Sequence, residues 1–228
     1  MSMTRQSFQS ELEDLQQSIL KMGTLVEEAI YKAVKSLAMK DSELANEVIK
    51  GDDVVDDLEL EIEKKCLRLL ALQQPMASDL RVIGTALKIV TDLERMADHS
   101  VDIARVTIRL EGQPLIKPLV DVPRMAEIAQ KMVRDALTAY VRRDTNLAVA
   151  VIADDEQVDH LYSQVFRELL TYMMEDPKTI RQATQLLFVG SHLERIADHA
   201  TNLGEWIIYM VTGVRRELHD ILDEELTT

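Results

Sequence analysis

Three acidic residues four apart, Glu94, Asp98 and Asp102, are the part of this sequence best equipped for chemistry. In an α-helix, residues at i and i+4 rise along one face, so this spacing stacks the carboxyl groups into a stripe. The stripe recurs one hundred residues later as Glu194, Asp198 and Asn202. Shorter stripes precede both: Asp52 with Asp56, and Asp155 with Asp159. The first copy is extended by Asp53, Asp57, Glu59, Glu61 and Glu63, with no basic residue from 52 to 63. Like charges at i, i+4 destabilise a helix by about 0.2–0.5 kcal/mol per pair, so either something offsets the repulsion or the helix tolerates it.

Two readings of these acids are open. A solvated acidic face accounts for Glu59, Glu61 and Glu63. It accounts less well for Glu94 and Glu194, since neither has a Lys or Arg at i±3 or i±4 and both recur with the Asp four residues on. In the second reading, carboxylates from two helices converge on one hard-oxygen metal site per half. Such a site suits Mg²⁺, Ca²⁺ or Mn²⁺, and carboxylate-rich sites also hold Fe or Zn. Arg95 and Arg195 reach Asp98 and Asp198 at i+3, so part of the pattern is also explained by ion pairing. His99 and His199 follow each stripe, either as packing or surface residues or as peripheral ligands.

Helices must carry these stripes. The composition is 46% hydrophobic and 29% charged with only 4% aromatic residues, a balance that favours packed helices over sheets. Ile30, Ala33, Val34 and Leu37 give the i, i+3, i+4, i+7 pattern of an amphipathic helix, and Val133, Ala136, Leu137 and Tyr140 repeat it. Asp41 and Asp144 read as N-caps of the helices that follow, running to about Leu72 and Met174. Third helices begin near Ser78 and Pro177, the latter capped by Asp176, and end near Glu111 and Gly213. Gly112 reads as the residue just past the first of these ends. Gly84, Gly190 and Gly204, inside the third helices, are expected at close helix contacts because each costs about 1 kcal/mol relative to Ala.

The chain is written twice. LERMADH at Leu93–His99 returns as LERIADH at Leu193–His199, and Arg81 matches Arg181 at the same spacing of 100. Earlier the spacing is 103, pairing Asp41 with Asp144, Ile49 with Ile152 and Leu58 with Leu161. The change falls around Pro75 and Pro177, where a loop absorbs it. Pro114, Pro118 and Pro123 mark the break between copies. The expected architecture is all-α: two tandem, sequence-related three-helix bundles at 1–113 and 124–228, joined by a linker at 114–123. The acidic end from Val214 is expected to fray.

The repeated D/H-L-E-R-[MI]-A-D-H motif, together with QQPMASDLR at Gln73–Arg81, resembles the signature of the PhoU family over about Phe8 to Met210. That resemblance implies two three-helix bundles, a homodimer, and metal clusters at E/D-x-x-x-D motifs. Here those motifs fall at Asp52/Asp56, Glu94/Asp98, Asp155/Asp159 and Glu194/Asp198. The metal would be a divalent or trivalent ion such as Fe, Zn, Mn or Mg, with Asp102 matched by the neutral Asn202. The resemblance further implies a negative regulator of the phosphate regulon that couples the ATPase subunit of a phosphate ABC transporter to a membrane sensor histidine kinase.

Other functions find less support. A formal charge of −14 with no segregated basic patch disfavours nucleic acid and anionic membrane surfaces, so membrane contact is expected only through partners. Neither an apolar N-terminal run nor an apolar stretch of about 20 residues is present, and a cytoplasmic location is expected. A di-iron oxidase or metal-storage bundle is the alternative, but none of the five histidines has Glu three residues before it. Phosphate-binding Gly loops and nucleophile elbows are absent, and the lone Cys66 reads as a small helical hydrophobe. The expectation is a protein that is not an enzyme.

Overall fold

The computed structural model describes residues 2–73 and 75–215, so Gln74 and the acidic end beyond Arg215, with its expected fraying, lie outside the described residues. Six long helices and no strands are found within them: α1 (Ser2–Met39), α2 (Ser42–Gln73), α3 (Ala77–Arg109), α4 (Asp121–Arg142), α5 (Thr145–Glu175) and α6 (Ile180–Thr212). Lengths near 33 residues correspond to about 50 Å, and such helices are stable only packed side by side.

The helix junctions follow local chemistry. Asp41 and Asp144 each accept a hydrogen bond from the backbone N–H three residues on, Leu44 at 2.9 Å and Leu147 at 3.1 Å. The residues before them, Lys40 and Arg143, take left-handed backbone angles (φ 56 and 53) at equivalent places, which reverses the chain in two residues. Asp176 accepts from Lys178 N–H, and Pro177 opens a short 3₁₀ turn (Pro177–Thr179) leading into α6. Gly213 ends α6 at φ 75. At the equivalent end of α3, Leu110 is the cap and Gly112 (φ 71) lies in the turn beyond it, two residues past its expected position.

Within each half the three helices pack on one another, and the expected stripe residues Ile30, Ala33, Val34, Leu37, Val133, Ala136, Leu137 and Tyr140 are all buried. The halves are not separate globules. α3 lies along α6 and α1 along α4, so one continuous apolar cluster runs through all six helices. Gly23 on α1 admits Leu137 of α4 into the space its own side chain would fill. Arg134 donates to Glu27 at 2.9 Å, and Gln130 donates to the Glu27 carbonyl at 2.8 Å, across the same seam.

The segment between α3 and α4 is held down. The Gln182 side chain accepts from Ile116 N–H and donates to the Pro114 carbonyl, while the buried Lys117 pairs with Glu168. Of the three glycines expected at close contacts, two are. A Cβ at Gly190 would come within 2.9 Å of the Tyr162 ring, and one at Gly204 within 2.9 Å of both the Ala148 carbonyl and Ile152. Gly84 is exposed with open space around it, because it points away from the bundle.

Candidate functional site

In the first half, α2 and α3 bring Asp52, Asp56, Glu59, Glu94 and Asp98 together along one flank. Burial raises the Asp52 carboxyl to about 6, with Asp56, Asp98 and Glu94 adding repulsion and Arg105 opposing it. Burial followed by neighbouring carboxylates likewise raises Asp56, Glu59 and Glu94. Glu59 therefore belongs to the set, contrary to its reading as a solvated residue. It sits half-buried one turn beyond Val55, with Asp56 and Asp98 among the carboxylates that repel it. Glu94 is also less isolated than its helical spacing implies, since Arg95 Nε lies 3.4 Å from Glu94 and its Nη1 3.4 Å from Asp98.

In the second half, α5 and α6 gather Asp155, Asp159, Glu194 and Asp198. Burial, then Asp159, Asp198 and Glu194, push the Asp155 carboxyl up to about 7, with the nearby Thr201 hydroxyl working weakly the other way. Asp155 Oδ1 and Thr201 Oγ1 nevertheless make no well-formed hydrogen bond, and both are buried without one. Glu194 and Asp198 are raised as well, by burial and then by each other or Asp159. Arg195 closes no ion pair with Glu194 or Asp198 among the described residues.

Eight of the ten residues expected to ligate metal thus fall into two sets of four, and Asp102 and Asn202 do not join them. Each successive i+4 step turns by about 40°, and by the third residue the stripe has rotated off the flank. Asp102 instead accepts from Arg105 Nη1 at 2.8 Å and approaches His192 Nε2 at 4.0 Å, on the side of α3 that faces α6. Asn202 occupies the equivalent side of α6.

Three histidines lie along that α3–α6 seam. His99 Nδ1 is 3.3 Å from His192 Nδ1, and the rings of His99 and His199 are 5.7 Å apart. His199 Nδ1–H donates to Asp92 at 2.8 Å. Burial, reinforced by His192, His199 and Arg195, lowers His99 to about 4, and burial also lowers His192. His192 and Asp92 were not singled out from the sequence. The signal was present, because they occupy the one position of the repeated motif whose two copies differ in charge type.

Each carboxylate set can accept a hard cation. Acids held above their usual range by burial and mutual repulsion, with a buried unpartnered oxygen at Asp155, are the electrostatic signature of a site that a positive charge would relieve. Among the described residues, ligand atoms all within 4.8 Å of one another occur only at His99, Asp102 and His192, while the mutually repelling carboxylates stand wider apart.

Two tandem three-helix repeats, sharing a core and each bearing an acidic set between its second and third helices, define a duplicated helical-bundle class. A family model described as the PhoU domain matches residues 19–107 and again 122–207. The chain belongs to the PhoU family. It is 45% identical over 219 residues to the phosphate-specific transport system accessory protein PhoU homolog of Clostridium acetobutylicum, covering 96% of this chain and 100% of that one. It is 49% identical over 203 residues to the homolog of the same name from Aquifex aeolicus, covering 89% and 92%. Its fold matches the crystal structure of PhoU from Pseudomonas aeruginosa with a TM-score of 0.87 at 43% identity, covering 91% of this chain and 100% of that chain. The phosphate transport system regulatory protein PhoU from Streptococcus pneumoniae matches with 0.86 at 35% identity, covering 92% and 99%. No helix among the described residues is long and apolar enough to cross a membrane.

Proposed function

We propose that this chain is an accessory regulator of a phosphate transport system and not an enzyme. It acts as a cytoplasmic negative regulator of the phosphate regulon. The observation that carries this reading is near full-length similarity, through both repeats, to several proteins named as phosphate-specific transport system accessory proteins. Its partners are the ATPase subunit of the phosphate ABC transporter and a phosphate sensor histidine kinase, and it works as a homodimer. The arrangement of helices suits an adaptor. Long helices packed into one core present rigid, extended faces, and an acidic flank on each half is complementary to basic partner surfaces. Regulation then requires affinity for the transporter or kinase to differ between their states.

The two carboxylate sets are metal sites in this reading. Asp52, Asp56, Glu94 and Asp98 hold one cation or cluster, with Glu59 alongside, and Asp155, Asp159, Glu194 and Asp198 hold the other. A bound divalent or trivalent ion of the Fe, Zn, Mn or Mg kind supplies positive charge that neutralises the set and can bridge to acidic groups on a partner. The residues themselves position the oxygens from two helices at once, so occupancy also ties α2 to α3 and α5 to α6.

The test is the activity of a phosphate-regulated alkaline phosphatase in phosphate-replete cells lacking this gene, beside cells complemented with it. High activity in the deletion, returned to low by complementation, is expected. Activity that stays low without the gene overturns the negative-regulator role.

A further inference from the structure

The geometry points to a transition-metal site made of His99 and Asp102 on α3 and His192 on α6, apart from both carboxylate sets and joining one bundle to the other. One ligand atom from each of the three residues lies within 4.8 Å of the other two. The two Nδ1 atoms are 3.3 Å apart. Two tetrahedral ligands at about 2.05 Å from a zinc-like ion are separated by about 3.3 Å, so this pair already stands at ligand spacing. The ion would replace the hydrogen bond between the rings. Asp102 completes a facial set of two imidazoles and one carboxylate by side-chain rotation. Its Oδ1 stays on Arg105, the kind of outer contact that orients a ligating carboxylate, while Oδ2 lies 4.0 Å from Nε2 of the His192 ring, the nitrogen across that ring from Nδ1. Both His192 and Asp102 remain partly open, at 19% and 39% side-chain exposure, which leaves room for an exchangeable fourth ligand and a path for entry. Imidazole nitrogens select borderline ions such as Zn²⁺, Co²⁺ and Ni²⁺ over the hard cations favoured by all-oxygen sets.

The duplication supplies an internal control. The equivalent residues at the other end of the seam are His199, Asn202 and Asp92. There the imidazole is already closed on a carboxylate at 2.8 Å, and the third position carries a neutral amide. The two differences in donor type between the copies, Asp92 against His192 and Asn202 against Asp102, fall at the same place. Together they convert a satisfied His–Asp pair into a two-His, one-carboxylate set.

The experiment uses the full chain with both carboxylate sets neutralised by Asp52→Asn, Asp56→Asn, Glu59→Gln, Glu94→Gln, Asp98→Asn, Asp155→Asn, Asp159→Asn, Glu194→Gln and Asp198→Asn, titrated with Co²⁺ as a spectroscopic stand-in for zinc at neutral pH. One Co²⁺ per chain is expected, with the intense visible bands of a low-coordinate site, displaced by Zn²⁺. Adding His192→Asp or Asp102→Asn, each the residue the other copy carries, should weaken binding at least tenfold without loss of helical circular dichroism. No Co²⁺ binding in the neutralised chain, or unchanged affinity in both added variants, overturns the site. X-ray absorption on the zinc-loaded, unsubstituted chain gives a second reading independent of how the variants fold. Scattering from two imidazoles per ion in a defined fraction of the zinc is expected, and an oxygen-only shell overturns it. Because neither readout depends on phosphate regulation, and imidazole scattering cannot arise from the acidic sets, failure here is distinguishable from failure of the proposed function.

Discussion

In the first half, Arg95 leans over Glu94 and Asp98, and a fifth carboxylate, Glu59, faces the group. In the second half Tyr162 stands where Glu59 does, its ring packed over Gly190, and Arg195 closes no such ion pair among the described residues. The first set is thus richer in acid but partly compensated. The second has fewer acids and a stranded oxygen on Asp155, whose carboxyl is pushed to about 7 against about 6 for Asp52. The same motif letters therefore specify two sites of different electrostatic tension, and the difference comes from residues outside the motif.

The packing beneath the two sets differs in the same sense. Position 204 is Gly where its counterpart is the fully buried Ala104, and α5 lies so close that a Cβ would meet the Ala148 carbonyl. The largest effect is expected here. Gly204→Ala should destabilise by about 1–3 kcal/mol through overpacking, although Ala is the better helix former. The reverse change, Ala104→Gly, should cost about 1 kcal/mol by lost propensity. Urea unfolding measures both, and a neutral or stabilising Gly204→Ala would break the claim of a tighter second bundle.

The charge comparison predicts a smaller effect with a definite sign. Asp52 and Asp155 have folded-state pKa values above their usual one, so between about pH 4 and 7 these two groups hold more protons in the folded chain than in the unfolded one. Metal-free stability from these groups is therefore present at low pH and lost as pH rises. His99 works oppositely. Its folded pKa of about 4 makes stability fall as pH drops below about 6.5. Asp155→Asn should raise the metal-free melting temperature at pH 8 more than Asp52→Asn does, with little change at pH 4. Added Zn²⁺ or Mn²⁺ should raise that of the unsubstituted chain. Equal shifts from the two Asn variants would remove the distinction between the sets.

Where the halves agree, their variants should agree. Asp41→Ala and Asp144→Ala each remove one cap and should each cost about 1 kcal/mol, equal within a few tenths. The smallest effect belongs to exposed pairs. Glu28 and Lys32 of the first half are reversed as Lys131 and Asp135 in the second, yet each lysine also reaches the next helix, at Glu47 or Asp154. Lys32→Ala and Lys131→Ala should each change stability by less than about 1 kcal/mol by the same urea assay.

Much of the fold was legible in the sequence because its signals are local. Periodicity placed Ile30 through Leu37 and their copies inward, and two Asp side chains marked where second helices begin. The convergence of Asp52/Asp56 with Glu94/Asp98 was legible because four-residue spacing fixes a helix face. The limits were also physical. Spacing cannot report the slow rotation that carries Asp102 off the flank, nor that Gly84 faces open space instead of a neighbouring helix. Glu59 and His192 became visible only once a second helix was laid beside each.

The α3–α6 seam has one more consequence. Equivalent faces of the two halves meet there, as the subunits of an isologous dimer do about a twofold axis. Two identical subunits joined that way must repeat every contact at both ends, so a histidine opposite His99 would demand the same histidine opposite His199. Covalent fusion removes that requirement, and the chain uses the freedom. One end of the axis carries Asp92 against His199 and the other His192 against His99, an asymmetry that only a tandem protein can encode.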